Sequence, residues 1–415
     1  MTVSVNEYEN IKREALYGEE KSTAPSEAKF STTDETKKIL EDFDREKRLS
    51  KKALGTRYIY WKCIRNFFFY LARQRGMKII DLEKLTKDDI ADFLDNCEYA
   101  DTTVNTHKIT IKIVYKYMNG GEGYPPIVKW IKVSRPEIKL PKNLIEEEHI
   151  KKLVEHMDLE RDQALVMTLY ESAGRISEVL NTNLDDLTWE FDPDSKIPMV
   201  KLRLVDIKGH SGERFVALFD SAPYLQRWIN KHPFKEKSDS PIFISLANRS
   251  YGKRINRQAV AIKIKTVAKR IGLQNVTLNP HSFRHRRLTE SGKYMSEFEV
   301  KYLAGHKMSS RMANVYIHTN DQDVANKERI RRGLKPLATN GKVKKHHLAI
   351  LKCAECGNVN PATFQFCFSC GNPIGDTELS RQKKFLKIIE KAEDDHRIKR
   401  ILNLLEDIMT KPHPV

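Results

Sequence analysis

Residues 280–316 read PHSFRHRRLTESGKYMSEFEVKYLAGHKMSSRMANVY. If the start of this stretch is helical, His281 and Arg284 lie three apart on one face and can reach a single phosphate. Gly305-His306 follows, and Tyr316 stands ten residues beyond His306. Upstream, Gly174-Arg175-Ile-Ser-Glu178 places an arginine at a break between two helical stretches. A helix N-terminus there attracts anions, and a guanidinium grips phosphate through two contacts. Between these segments, MVKLRLVDIKGHSGERFVALF (199–219) reads as two strands around a glycine-containing turn from which Lys208 projects. Each fragment alone is common, and an isolated tyrosine is more often packed than reactive. Together they supply the parts of metal-free phosphodiester cleavage: a nucleophile, cations for the phosphate oxygens, an acid for the leaving oxygen and a group to manage the nucleophile's proton.

The remainder of the chain fits a polyanionic partner. Lys and Arg total 73 against 56 Asp and Glu, a formal charge of +17 over 415 residues. Such an excess points to nucleic acid. From Tyr251 to Arg270 seven Lys or Arg residues occur without one acid, including Lys253, Arg254 and Arg257. A single-signed run of this kind favours phosphate contact over a merely solvated face. The first thirty residues are polar and lack an apolar core of signal-peptide length. No run approaches the roughly 18–20 apolar residues of a membrane span. These readings lead to the expectation of a cytoplasmic, nucleoid-associated protein.

Length and patterning predict several domains. Residues 1–33 lack periodicity and are expected to be a disordered tail. Residues 34–120 carry helical spacing, as in Tyr60, Ile64, Phe67, Phe68 and Leu71, with a capping-box start at Thr86-Lys-Asp-Asp89. Residues 121–142 combine glycines and prolines with Lys129, Lys132, Arg135, Lys139 and Lys142, the composition of an extended basic linker able to follow a phosphate backbone. Residues 143–332 form a mixed unit, with helices expected near 146–157, 159–172 and 256–271 around the two strands. A cysteine-rich segment, 349–375, and an amphipathic helix, 378–410, complete the chain.

The order Arg, hairpin Lys, His-x-x-Arg, Gly-His, Tyr closely resembles the tyrosine recombinase, or phage-integrase, family, which includes the Xer-type chromosome resolvases. The resemblance covers 143–330 and, more loosely, the helical segment 34–120. It implies an all-α SAM-like core-binding domain followed by a mainly helical α+β catalytic domain with a small antiparallel sheet. By the same resemblance Arg175 and Arg284 clamp the scissile phosphate, His281 acts on the nucleophile's proton, and Lys208 protonates the leaving 5′-oxygen. His306 holds a phosphate oxygen, and Tyr316 attacks to give a 3′-phosphotyrosine. No ATP or catalytic metal is implied. The expected partners are double-stranded DNA, three further copies of the chain on two duplexes, and accessory directionality proteins. The interval from Gly-His to Tyr is one residue longer than in typical bacterial members and looks archaeal, which leaves open whether Tyr316 acts in cis or in trans. Lys201, on the preceding strand, is a weaker candidate than Lys208. Two rival functions share parts of this pattern: a type IB topoisomerase-like nicking-closing enzyme, and a non-catalytic DNA-binding adaptor. A pure binder would not need all six residues.

Cys353-Ala-Glu-Cys356-Gly and Cys367-Phe-Ser-Cys370-Gly are two knuckles separated by ten residues. Paired CxxC-Gly elements place four thiolates around Zn²⁺, a closed and therefore structural site. The segment resembles a short zinc ribbon, with a role in DNA or protein contact. Cys63 and Cys97 stand apart and read as small core residues.

Overall fold

The computed structural model describes residues 3–18, 29–134, 143–192, 197–206, 212–273, 275–317, 321–335 and 346–375. The chain divides into two compact units, Met1–Glu137 and Ile138–Val415. Among the described residues no helix is long and apolar enough to cross a membrane.

The first unit contains α1 (Val5–Tyr17), β1 (Ser31–Thr32), α2 (Asp34–Leu49), α3 (Leu54–Gln74), β2 (Ile79–Ile80), α4 (Lys87–Asn96), α5 (Asp101–Met118) and α6 (Pro126–Lys129). The apolar run of α3 buries Trp61, Phe67, Phe68 and Leu71. Phe67 meets Phe93 of α4 at 5.0 Å between ring centroids. The Thr86 side chain caps α4, accepting from the Asp89 amide, while Asp89 accepts from the Thr86 amide at 2.8 Å.

Two expectations are corrected here. Residues 1–33 are not wholly a tail: α1 is capped by Ser4 and buries Tyr8, Ile11, Ala15 and Leu16. Arg57 of α3 donates to the Tyr8 hydroxyl at 2.6 Å and to Asp44 of α2 at 2.8 Å, tying three helices together. The apolar positions of α1 are spaced among acids, so the stripe is weak in sequence. Nor is 121–142 an extended linker throughout. Val128 and Ile131 are buried in this unit's core, and Lys112 donates to the Ile131 carbonyl at 2.8 Å. Residues 135–142 of that span, with Arg135, Lys139 and Lys142, lie outside the described residues.

The second unit contains α7 (Glu147–Glu155), α8 (Glu160–Glu171), α9 (Ile176–Leu180), β3 (Leu187–Phe191), β4 (Pro198–Val205), β5 (Glu213–Leu218), α10 (Ala222–Asn230), α11 (Arg257–Arg270), α12 (Pro280–Ser291), α13 (Glu297–Ala304), α14 (Asp321–Arg331), β6 (Leu351–Lys352) and β7 (Val359–Asn360). Helix α8 is its axis: Ala164, Leu165, Val166, Met167, Leu169 and Tyr170 are all buried. Strands β3-β4-β5 form an antiparallel sheet with Lys201 opposite both Thr188 and Ala217. Inward positions Val200, Leu202 and Leu204 alternate with exposed or half-buried ones, as the expected hairpin requires. Strand β3 was not expected. Its residues alternate poorly in burial, being an edge.

The segment around the cysteine pairs packs on this unit. Leu348 is completely buried in its core. His346 bridges two carboxylates, Glu147 at 3.1 Å and Asp220 at 2.9 Å. Tyr224 and Thr363 share a hydroxyl hydrogen bond of 3.0 Å, and the Arg227 guanidinium lies 4.5 Å from the Phe364 ring centroid. Truncating a fully buried leucine costs about 2–5 kcal/mol. Leu348→Ala is therefore expected to lower the urea midpoint of the second unit's unfolding by that equivalent, although residue 348 belongs to the segment leading into the cysteine pairs.

Candidate phosphate-binding active site

Three backbone turns converge to build the site. Arg175 is the residue before α9, with extended φ/ψ, and its amide donates to Glu178 at 3.0 Å. Helix α12 starts at a capping box in which Asn279 accepts from the amides of His281 and Ser282 at 2.8 and 3.1 Å. Pro280 at the first helical position suits that start. Helix α13 ends on Gly305, at φ 57°, which turns the chain so that His306 follows immediately. A Cβ on Gly305 would come within 2.5 Å of the Arg214 guanidinium, so this close approach demands glycine.

These turns place Arg175, His281, Arg284, His285, His306 and Tyr316 around one cavity of about 500 Å³. Arg284 is 2 % exposed. Its guanidinium donates to the carbonyls of Ala173 and Ala304, each at 2.6 Å, and to His306 Nε2 at 3.1 Å. Ala173 reaches Arg284 from a left-handed backbone, φ 48°, a conformation costing on the order of 1–3 kcal/mol without glycine. Because His306 Nε2 accepts, its proton sits on Nδ1, which is buried without a partner among the described residues. That donor has capacity for an acceptor brought by a ligand. The Tyr316 hydroxyl bonds His285 Nδ1 at 2.8 Å.

The electrostatics follow from burial among cations. Burial, then Arg284 and Arg175, hold His306 down at about 4. Burial, then His285 and Arg284, do the same to His281, also to about 4. Burial and Arg284 lower His285. The imidazoles are neutral at pH 7. Burial and the nearby Arg175 bring Arg284 down to about 10, still charged. Burial raises the Tyr316 phenol, with Arg284 opposing.

Glu178 is the counter-ion. Burial disfavours its charge, but Arg214, then Arg175, hold its carboxyl below the usual range. Arg214 donates to Glu178 at 2.7 Å and to the Leu303 carbonyl at 3.1 Å. Arg175 pairs with the other carboxylate oxygen and reaches the Gly305 carbonyl at 3.3 Å. One buried carboxylate thereby joins α9, β5 and the α13 turn.

Of the residues singled out from sequence, Arg175, His281, Arg284, His306 and Tyr316 meet in this cavity. Lys208 lies outside the described residues; its hairpin is closed by the Asp206 amide on the Gly212 carbonyl at 2.9 Å. Lys201 instead pairs with Glu190 on β3 at 2.6 Å. Arg257 is close enough to lower His281 electrostatically. Lys129, Lys132 and Lys253 are exposed. Arg254 is engaged structurally, donating to the Leu180 and Thr182 carbonyls and to Asn183 at 2.8, 3.0 and 2.6 Å. Sequence reasoning gave no role to His285, Glu178 or Arg214. The i, i+4 spacing of His281 and His285 was a usable signal; nothing local marks Arg214.

The four cysteines form a second centre. Their sulfurs lie within 4.8 Å of one another. Cys353–Cys370 and Cys356–Cys367 are each 3.6 Å apart. Four thiolates about 2.3 Å from one ion would be separated by about 3.8 Å. The knuckles repeat one geometry: the Gly357 and Gly371 amides donate back to the Cys353 and Cys367 carbonyls at 3.0 and 2.9 Å. The donor set fits a tetrahedral metal ion.

Glu178→Gln leaves the buried Arg214 and the half-buried Arg175 short of a counter-charge, a loss of about 3–5 kcal/mol in stability. Because the folded pKa of Glu178 is depressed, its contribution is present above the ordinary carboxylate value near ~4.3 and fades as pH falls through the folded pKa. Chemical denaturation across pH should therefore show the gap between wild type and Glu178→Gln narrowing below about pH 4.

Comparison with known proteins finds relatives of the stretch of chain that holds the cavity. Residues 143–323 match the Phage integrase family. Transposase A from transposon Tn554 of Staphylococcus aureus is 26% identical over 220 residues, 51% of this chain and 56% of that protein. The chain thus spans little more than half the length of that relative. Tyrosine recombinase XerA of Pyrococcus horikoshii is 26% identical over 259 residues, 60% of this chain and 77% of that protein. Among solved structures, a lambda integrase tetramer bound to a Holliday junction shares the fold, with a TM-score of 0.51, 15% identity, and coverage of 68% of this chain and 76% of that one. The residues that match the Phage integrase family, 143–323, include every described residue that lines the cavity.

Proposed function

We propose that this chain is a site-specific DNA recombinase that cuts and rejoins strands through a 3′-phosphotyrosyl link at Tyr316. The observation carrying this reading is one cavity that holds a phenol together with Arg175, Arg284 and a His306 donor lacking a partner among the described residues. A diester phosphate seated there has its non-bridging oxygens against both guanidinium groups and His306, with His281 as a further hydrogen-bond partner. Fixed donors of this kind stabilise the charge that grows on a pentacoordinate phosphorus. Lys208 is assigned the acid role on the β4–β5 turn. The ester formed at Tyr316 conserves the energy of the broken bond, so a 5′-hydroxyl from a partner strand reverses the step without ATP.

The partners follow from charge and likeness. Double-stranded DNA matches the +17 formal charge, with Lys129, Lys132, Lys253 and Arg257 as backbone contacts and the helical unit as a SAM-like core-binding domain. The related fold found as a tetramer on a Holliday junction supports assembly of four copies on two duplexes. The cysteine centre takes Zn²⁺ as a structural ion, since four thiolates leave no open coordination position.

Tyr316→Phe is expected to bind DNA with unchanged salt dependence and to form no SDS-resistant protein–DNA adduct on nicked duplexes. An adduct in that variant contradicts the nucleophile assignment. Arg175→Ala is expected to slow cleavage by about 10²–10³-fold, the usual effect of removing one transition-state donor. Metal analysis should find roughly one zinc per chain, as four thiolates require, and none in Cys367→Ser.

A further inference from the structure

His281 and His285 are one helical turn apart on α12, and their rings meet edge to face at 4.7 Å. They are not equivalent. The Tyr316 hydroxyl bonds His285 Nδ1 at 2.8 Å, with the rings tilted 37° and 5.9 Å apart. His306 is committed to Arg284 through Nε2. Among the described residues, the hydrogen-bond partner of Tyr316's oxygen is thus His285.

We propose that His285 takes the proton from Tyr316 when the phenol attacks, and returns it when the strand is rejoined. The proposal rests on the reading of Tyr316 as nucleophile. In the step, the Tyr316 O–H bond breaks and its proton passes to His285 Nδ1. The freed electron pair forms the O–P bond. The bond from phosphorus to the 5′-oxygen breaks, and that oxygen leaves with its electron pair and takes a proton from the acid on the hairpin. Charge is conserved: the imidazolium formed at His285 balances the proton delivered to the leaving group.

Three features suit His285 to the task. Its Nδ1 already lies at the distance of a proton transfer. In the neutral tautomer protonated on Nε2, its Nδ1 accepts from the phenol, with a lone pair aimed at that O–H. The groups facing it are His281 and Arg284 on its own helix and Tyr316 on the other side. His281 is the poorer base, because burial, His285, Arg284, Arg175 and Arg257 all disfavour its charged form. A bound phosphate offsets the arginines, so the imidazolium is formed where an anion has just arrived.

The test compares His285→Gln, and His285→Asn as a second variant, with wild type on the nicked duplex that yields the adduct. Single-turnover cleavage at saturating DNA and the DNA Kd are both measured. A matched duplex carries sulfur in place of the 5′-bridging oxygen, a leaving group that needs no acid. The expected result is a cleavage rate lower by about 10²–10⁴-fold, the range for a lost general base, at unchanged Kd. The loss persists with the sulfur leaving group, and the variant rate climbs with pH as hydroxide replaces the base. Cleavage within a few-fold of wild type in both variants overturns the proposal. So does recovery on the sulfur substrate, which places His285 on the acid side, and so does a pH-independent loss, which makes it a positioning residue only. If Tyr316→Phe still forms the adduct, the nucleophile reading itself fails. If Tyr316→Phe is inert while both His285 variants cleave, only the proton assignment fails.

Discussion

Bringing several guanidinium groups to one cavity is possible only because a buried anion stands behind them. Glu178, 2 % exposed, holds Arg214 through one oxygen and Arg175 through the other. Arg284 is held differently, its charge solvated by hydrogen bonds to the carbonyls of Ala173 and Ala304. The division matters for chemistry. A carboxylate facing the substrate would repel phosphate. Here the full negative charge is buried behind Arg175, and the cavity wall is left with donors. Removing one partner of such a buried pair leaves the other uncompensated, so the cluster behaves as a unit.

The same cluster locks the chain's geometry. Arg214 on β5 also holds the Leu303 carbonyl, and Arg175 reaches the Gly305 carbonyl. The turn that presents His306 is thereby registered against the sheet. Gly292 performs a similar task on the other side: a Cβ there would lie 2.2 Å from the Tyr316 carbonyl oxygen, so α12 and the segment bearing Tyr316 approach at backbone contact. Farther back, the Tyr170 hydroxyl lies 2.7 and 2.6 Å from carboxylate oxygens of Glu147 and Glu290, which share its one proton, and Glu147 accepts from His346. This chain of hydrogen bonds runs from the segment before the cysteine centre to α12, the helix that carries His281, Arg284 and His285.

Much of this was legible in sequence, for identifiable reasons. Helical periodicity placed α7, α8 and α11 within a few residues, because each buries a continuous apolar stripe. The ordered fragments around Arg175, His281, Arg284, His306 and Tyr316, read in sequence as parts of one site, meet in one cavity. The cysteine spacing gave the thiol cluster directly, since each knuckle is local. What sequence concealed depends on long-range contacts. Helix α1 is held by Tyr8 meeting Arg57 and Trp61, about fifty residues away. Arg214 reads as an ordinary strand residue until the fold sets it beside Glu178. His285 reads as a neighbour of Arg284 until Tyr316 arrives against it.

The most direct measurement is to trap the protein–DNA adduct on nicked duplexes, digest it, and determine by mass spectrometry which residue carries the nucleotide and through which end of the broken strand. The account requires a peptide modified at Tyr316 alone, linked through a 3′-phosphate, with a free 5′-hydroxyl on the released strand. A link at any other residue, a 5′-phosphate attachment, or cleavage with no covalent intermediate would contradict it.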